Sequence, residues 1–161
     1  MKFDSPEEEQ FYEWLKEAER VGLVSEIEYQ PKPFKLTERV NIPVIVRLKT
    51  KTKVVDRFLL HPHSYTADFS FLADKSLGFI TTGQRCWVDV KGGFSRFHDA
   101  KSFSINQKFV FFRFGIYINK VVPEKLFKKT FVPEVCRFTL KQQKPVKKYA
   151  NIKTITKFLK G

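Results

Sequence analysis

Two short motifs, Tyr65-Thr66-Ala67-Asp68-Phe69 and Trp87-Val88-Asp89-Val90-Lys91-Gly92-Gly93, set two carboxylates about twenty residues apart, with an ammonium beside the second. Each motif reads as a β-strand carrying one acid. Alternate residues of a strand face the same side, so Asp89 and Lys91 project together while Val88 and Val90 face the opposite, apolar layer. With Asp68 on a neighbouring strand, the three charged groups converge on one spot. Two hard oxygen ligands suit Mg²⁺, which keeps most of its waters and binds phosphate oxygens. A lysine beside such an ion can orient a water, or help deprotonate it, for attack on phosphorus. That equipment suffices to cut a nucleic-acid backbone. In the blander alternative Lys91 is a structural ion-pair partner and Asp68 a surface acid of a hairpin.

The elements that must position these groups can be read along the chain. Ser5-Pro6-Glu7-Glu8 has the chemistry of a helix start, with Ser5 as cap, Pro6 in the first turn and Glu8 closing a capping box. Phe11, Trp14, Leu15, Ala18 and Val21 follow at three-to-four spacing, which predicts an amphipathic helix over 6–21 ended by Gly22. Residues 27–31 read as a short extended piece. Strand patterns then cover 43–48, 54–60, 65–73 and 85–90, with Lys49, Lys51 and Lys53 in a basic turn between the first two. The corner at 61–64 suggests that 54–60 pairs with 65–73. Phe103, Gln107, Val110, Phe111 and Phe114 favour a second helix over 99–114, ended by Gly115, with His98 and Asp99 where the preceding loop runs into it, near the substrate. A buried strand over 116–122 stops at Pro123, and 132–140 reads as one more strand. The end of the chain, with Ile152, Ile155, Phe158 and Leu159, suggests a weak amphipathic helix.

Composition narrows the partners. The chain has 161 residues and a formal net charge of +13, unevenly spread. Residues 1–30 hold nine acids and three bases, whereas the other 131 hold eight acids and 27 bases. From Arg137 onward there are eight bases and no acid. Such an excess favours phosphate backbones through counterion release and suits small acidic substrates poorly. The basic turn at Lys49, Lys51 and Lys53, and Lys141, Lys144, Lys147 and Lys148 in the tail, are the candidates for holding a backbone. No apolar run approaches a membrane span and no signal-peptide pattern opens the chain, so a cytoplasmic protein is expected. Cys86 and Cys136 lack metal-type spacing and read as reduced core thiols. His61 and His63 flank Pro62 without a third ligand, a weak zinc signal better read as turn or phosphate contacts.

The order helix, strands, helix, strand, with acids on central strands, resembles the PD-(D/E)xK nuclease superfamily. The closer resemblance is to small phage and prophage nuclease-like proteins. These open with a Ser-x-x-Glu-x-x-x-Tyr-x-x-Leu helix, followed by Gln-Pro, Tyr-x-Ala-Asp-Phe and Asp-Val-Lys-Gly. Here those positions are Ser5, Glu8, Tyr12, Leu15, Gln30, Pro31, Tyr65, Ala67, Asp68, Phe69, Asp89, Val90, Lys91 and Gly92. Ala67 stands where the superfamily's name-giving proline would be. The resemblance implies an α/β (α+β) fold with a restriction-endonuclease-like core, a central mixed β-sheet flanked by helices. It implies a nuclease-like domain over 1–136, with 137–161 as a basic extension of that domain or a DNA-contacting tail.

It further implies a Mg²⁺-dependent endonuclease, with Mn²⁺ as substitute, acting on duplex or branched DNA in the bacterial host of a phage. A branched-DNA resolvase would need two active sites and hence a homodimer. Asp68, Asp89 and the Val90 carbonyl would bind the metal, and Lys91 would position the water. Glu8 would complete the shell, unless it only caps the helix, in which case Glu9 is the fallback. Gln107 and Lys108 on the second helix are placed to touch the scissile phosphate. Two rival readings stay open: a non-catalytic nucleic-acid-binding protein of the same fold, and a phage protein that binds a host factor.

Overall fold

The computed structural model describes residues 2–93, 97–139 and 141–161, with backbone alone for 97–100. It is a mixed α/β structure. Helix α1 (Pro6–Arg20) starts as its sequence dictates: the Ser5 hydroxyl accepts from the Glu8 N–H at 3.2 Å, and Pro6 occupies the first turn. Gly22, at φ 77°, ends it. The Leu23 N–H reaches the Ala18 carbonyl and the Gly22 N–H the Glu19 carbonyl, a Schellman closure that needs the left-handed glycine. Val21 caps this end and is exposed, so it leaves the predicted apolar stripe.

A four-stranded sheet carries the rest of the frame. Its strands are β1 (Val24–Tyr29), β6 (Phe69–Ala73), β7 (Arg85–Val90) and β8 (Ile118–Val121), adjacent in that order. β6 is antiparallel to both β1 and β7, whereas β7 and β8 are parallel. Parallel neighbours need a crossover, and helix α2 (Phe97–Phe114) supplies it. His98 and Asp99 therefore stand in the first turn of α2, not in a loop. The short helices α3 (Pro123–Lys129) and α4 (Ile155–Leu159) complete the set. No helix among the described residues is long and apolar enough to cross a membrane.

Two further ribbons depart from the expected pairing. β3 (Val40–Arg47) and β4 (Thr52–Leu60) form a two-stranded hairpin, and β2 (Phe34–Thr37) pairs with β5 (His63–Tyr65). The 54–60 run thus pairs backwards across the basic turn. The 65–73 run is split in two, because Tyr65 joins Phe34 while Phe69 joins Val88. The hairpin is exposed along nearly its whole length, Ile45 and Val54 being 67% and 66% accessible.

Apolar packing lies on both faces of the main sheet. On one face Phe11, Trp14 and Leu15 of α1 meet Phe69, Phe71, Val88 and Val90, joined by Phe127 and Phe131. Trp14 stacks on Phe11 and Phe131 and gives its indole N–H to Thr130 at 3.1 Å. On the other face Phe103 and Val110 of α2 pack with Phe34, Leu36, Tyr65, Ala67 and Ile118. Alternation along β7 therefore sends Val88 and Val90 towards α1 and Trp87, Asp89 and Lys91 towards α2, as the sequence requires. Phe111 is exposed, unlike its predicted place on the buried stripe.

After β8 the structure corrects two expectations. Pro123 does not merely stop a strand; it sits in the first turn of α3, where its missing N–H costs nothing. The 132–140 strand is absent, since a 3-10 turn occupies Glu134–Arg137. The basic tail is docked on the body. Ile152, Ile155 and Phe158 pack against the α1-side core, and Tyr149 is buried against Phe127.

Candidate active site

Asp68 and Asp89 meet where β6 begins and β7 ends. The Asp68 N–H donates to the Val88 carbonyl at 3.0 Å, continuing the β6–β7 ladder one residue beyond β6. The Asp68 carboxylate turns along β7 and accepts the Val90 N–H at 2.6 Å. Asp89 is only 4% exposed. Its Oδ2 accepts from the Tyr65 hydroxyl, and its Oδ1 forms an ion pair with Lys91 Nζ. Among the described residues, Oδ1 has no partner besides that ammonium. The Lys91 ammonium also lies 5.9 Å from the Phe103 ring centre.

Charge crowding has a measurable consequence. Burial first, and then the neighbouring Asp89 charge, push the Asp68 carboxyl from its usual 3.8 up to about 7. Glu8 adds to the rise, while the Val90 N–H and the Lys91 charge oppose it. Tyr65 is held far above the ordinary phenol range by burial and by Asp89, so it stays a protonated donor.

Glu8 is 7% exposed and reaches back to the helix start, its Oε1 accepting from the Ser5 hydroxyl at 3.1 Å. Its Oε2 accepts from the Tyr29 hydroxyl at 2.8 Å and the Asp4 N–H at 3.3 Å. Glu8 thus belongs to the helix start, and its charge adds to the rise at Asp68. Glu9, the fallback, lies elsewhere. It is exposed and lines a separate cavity with Val135, Cys136 and Phe138. Glu7 instead approaches the β7 end, its Oε1 lying 3.1 Å from where a Cβ on Gly92 would stand.

The other predicted residues are scattered. Gln107 gives its amide to the Ile118 carbonyl at 2.6 Å, tying α2 to β8. Lys108 is exposed on α2. Lys49, Lys51 and Lys53 are exposed at the end of the β3–β4 hairpin. Lys141, Lys144, Lys147 and Lys148 are exposed too, on a tail that packs on the α1 side, opposite the face to which Asp89 points. Lys148 lies 3.5 Å from Glu124 and over the Tyr149 ring. The Val90 side chain is buried with the α1 core, and its N–H is taken by Asp68.

Two residues of the site, Tyr65 and Asn106, have no role that the sequence motifs assign. Tyr65 belongs to the first motif, yet only the fold shows that its hydroxyl holds Asp89. Asn106 faces the same small cavity of about 180 Å³, which Tyr65, Asp89, Lys91, Ser102 and Phe103 also line. Its side-chain oxygen lies 2.8 Å from His63 Nε2, which gives that histidine a local partner. Among the described residues no three His, Cys, Asp or Glu side chains form a ready-made metal group. Cys86 and Cys136 are free thiols, both pushed up to about 12, chiefly by burial. Comparison of the chain with protein-family models, with curated proteins and with solved structures finds no match.

Proposed function

We propose that the protein is a divalent-metal-dependent endodeoxyribonuclease with a restriction-endonuclease-like core of the PD-(D/E)xK type. The observation that carries this reading is the cluster itself: the buried Asp89, paired with Lys91, beside Asp68, whose proton affinity is raised by burial and then by the Asp89 charge. A buried group of carboxylates with one lysine is costly unless a cation completes it. The donor chemistry fits Mg²⁺, with Mn²⁺ as substitute, and Asp68, Asp89 and the Val90 carbonyl would hold it. Bound there, such an ion would neutralise phosphate charge and acidify a water.

The chain's own residues have separable roles. Tyr65 fixes the orientation of Asp89, and the Val90 N–H fixes Asp68. Lys91 holds the attacking water and steadies charge on the phosphate. Glu8 acts through its charge, from a position anchored by Ser5 and Tyr29. Water adds to phosphorus and the bond to the 3′ oxygen breaks, leaving a 5′-phosphate and a 3′-hydroxyl. The cationic hairpin end contacts backbone, which positions a duplex without reading its sequence. A structure-selective or nicking enzyme therefore fits better than a site-specific one, with branched DNA as the favoured substrate and a phage genome as the source.

The test incubates the protein with supercoiled plasmid and a synthetic four-way junction in Mg²⁺, Mn²⁺ or EDTA. Asp89→Ala and Lys91→Ala run in parallel. Metal-dependent cutting lost in both variants is expected. If the wild type cuts neither substrate in either metal, the enzyme reading fails, and a non-catalytic DNA-binding protein or a host-factor ligand takes its place.

A further inference from the structure

We infer that the face carrying Asp89 also holds a seat for one unpaired nucleotide, formed between β2, β7 and the end of α2. The inference rests on the nucleic-acid reading above and names the part of the substrate that it takes. A cavity of about 460 Å³ is lined there by three aromatic rings, Phe34, Trp87 and Phe114, and three cations, Lys32, Lys35 and Arg113. The rings form a continuous wall. Phe34 meets Trp87 edge-on at 4.9 Å and Phe114 at 5.3 Å between ring centres. Phe114 is 43% exposed. Arg113 is anchored by donating to the Leu36 carbonyl, and its guanidinium carbon lies 5.8 Å from the Phe114 ring centre. Lys32 and Lys35 are exposed at the rim, Lys35 in an exposed ion pair with Glu38 at 2.8 Å that a phosphate can exchange for.

Aromatic faces interleaved with cations are what single-stranded nucleic acid requires, because every base has a π-face and every nucleotide a phosphate. An apolar ligand would use the rings and waste the three charges. A paired base has both faces stacked already, so only an unpaired one can lie on Phe114 and Trp87. Place then adds to chemistry. Trp87 precedes Asp89 by two residues on the same face of β7, about 7 Å along the strand. Phe34 is the β-partner of Tyr65, whose hydroxyl holds Asp89. A nucleotide in this seat would be a close neighbour of the phosphate held at the acid cluster. The enzyme would therefore favour strands that are unpaired next to the cut, as at a branch point, a flap or a gap.

Tryptophan fluorescence tests this directly, since Trp14 is fully buried and Trp87 is the other indole. The full-length protein is titrated in EDTA, so that nothing is cut, with a fluorescein-labelled twelve-nucleotide oligo(dT) or a duplex of equal length. Anisotropy reports binding, and unlabelled strands are used to read the indole. Single-strand binding should quench the emission, and the duplex should quench it far less. Trp87→Phe should abolish the quench. Phe114→Ala, at an exposed ring, should weaken single-strand binding about tenfold and duplex binding less than twofold. Binding without a quench overturns the seat, as does a Phe114→Ala protein that binds single strands like wild type. Plasmid cutting with no quench would sink the seat alone. A quench in a protein that never cuts would keep the seat and discard the nuclease.

Discussion

Replacing Asp68 by Asn removes one charge from the acid cluster and leaves an oxygen that can still accept the Val90 N–H. In the wild type, burial and Asp89 lift the Asp68 carboxyl to about 7, from 3.8 when unperturbed. The folded state therefore keeps the Asp68 proton through a pH range in which the unfolded chain has lost it. Stability falls as the pH rises through that range. Below about 4 both states are protonated and nothing is lost; above about 7 both are ionised and the whole penalty is present. At 1.36 kcal/mol per pH unit the span corresponds to about 4 kcal/mol, and solvent reaching this half-buried carboxyl leaves about 2–4 kcal/mol. For a chain of this size that is on the order of 5–10 °C in Tm. Urea unfolding of wild type and Asp68→Asn in EDTA, from pH 4 to pH 8, reads the difference directly. The variant should match wild type near pH 4 and be the more stable by about 2 kcal/mol or more at pH 8. A difference that stays flat across the range, or favours wild type at pH 8, refutes the crowded-cluster reasoning.

Three further outcomes follow from the same geometry. Tyr65→Phe strips the donor from Asp89 Oδ2 and should cost about 1–3 kcal/mol in urea unfolding. On the proposed function it should also weaken Mg²⁺ binding 10- to 100-fold by calorimetry, because the ligand loses its orienting partner. Replacing Lys49, Lys51 and Lys53 together by Ala should leave unfolding within about 0.5 kcal/mol. The same variant should lower the slope of log K for DNA against log salt by about 2–3, measured by anisotropy. Gln107→Ala should cost about 1–2 kcal/mol of stability by releasing the Ile118 carbonyl, with the cutting rate changed less than twofold. A hundredfold loss of rate would restore the phosphate-contacting role that the sequence suggested.

Local signals carried the helix start and the motif strand. Ser5, Pro6 and Gly22 act within a turn or two of themselves, so α1 could be delimited to within a residue. Val88 and Val90 against Asp89 and Lys91 obey a period of two that no tertiary contact needs to impose. Long-range choices were hidden. The run from Tyr65 to Ala73 looks like one apolar strand, yet the chain changes sheets at 66–68 because Phe34 takes Tyr65 and Val88 takes Phe69. Residues 54–60 had two plausible partners, and the turn at 48–51 won over the corner at 61–64. Phe111 failed for a related reason: α2 carries more aromatics than its buried stripe can hold. At the site, the charges were legible but their anchors were not. Tyr65, Tyr29 and the Val90 N–H reach their carboxylates across strands, at distances that spacing along the chain does not encode.

The β3–β4 hairpin has one more consequence. Among the described residues its strands pair only with each other, and two-stranded ribbons are marginal in water. Pro43, Lys53 and Arg57 keep its edges from recruiting a third strand. Such a ribbon opens with a free energy well below that of the body, so its amides exchange with solvent first. Trypsin has Arg47, Lys49, Lys51 and Lys53 within reach there, and a single nick would leave the four-stranded sheet and its acid cluster intact. Local opening and nicking therefore begin at the arm, and whatever covers the arm decides how long it stays in one piece.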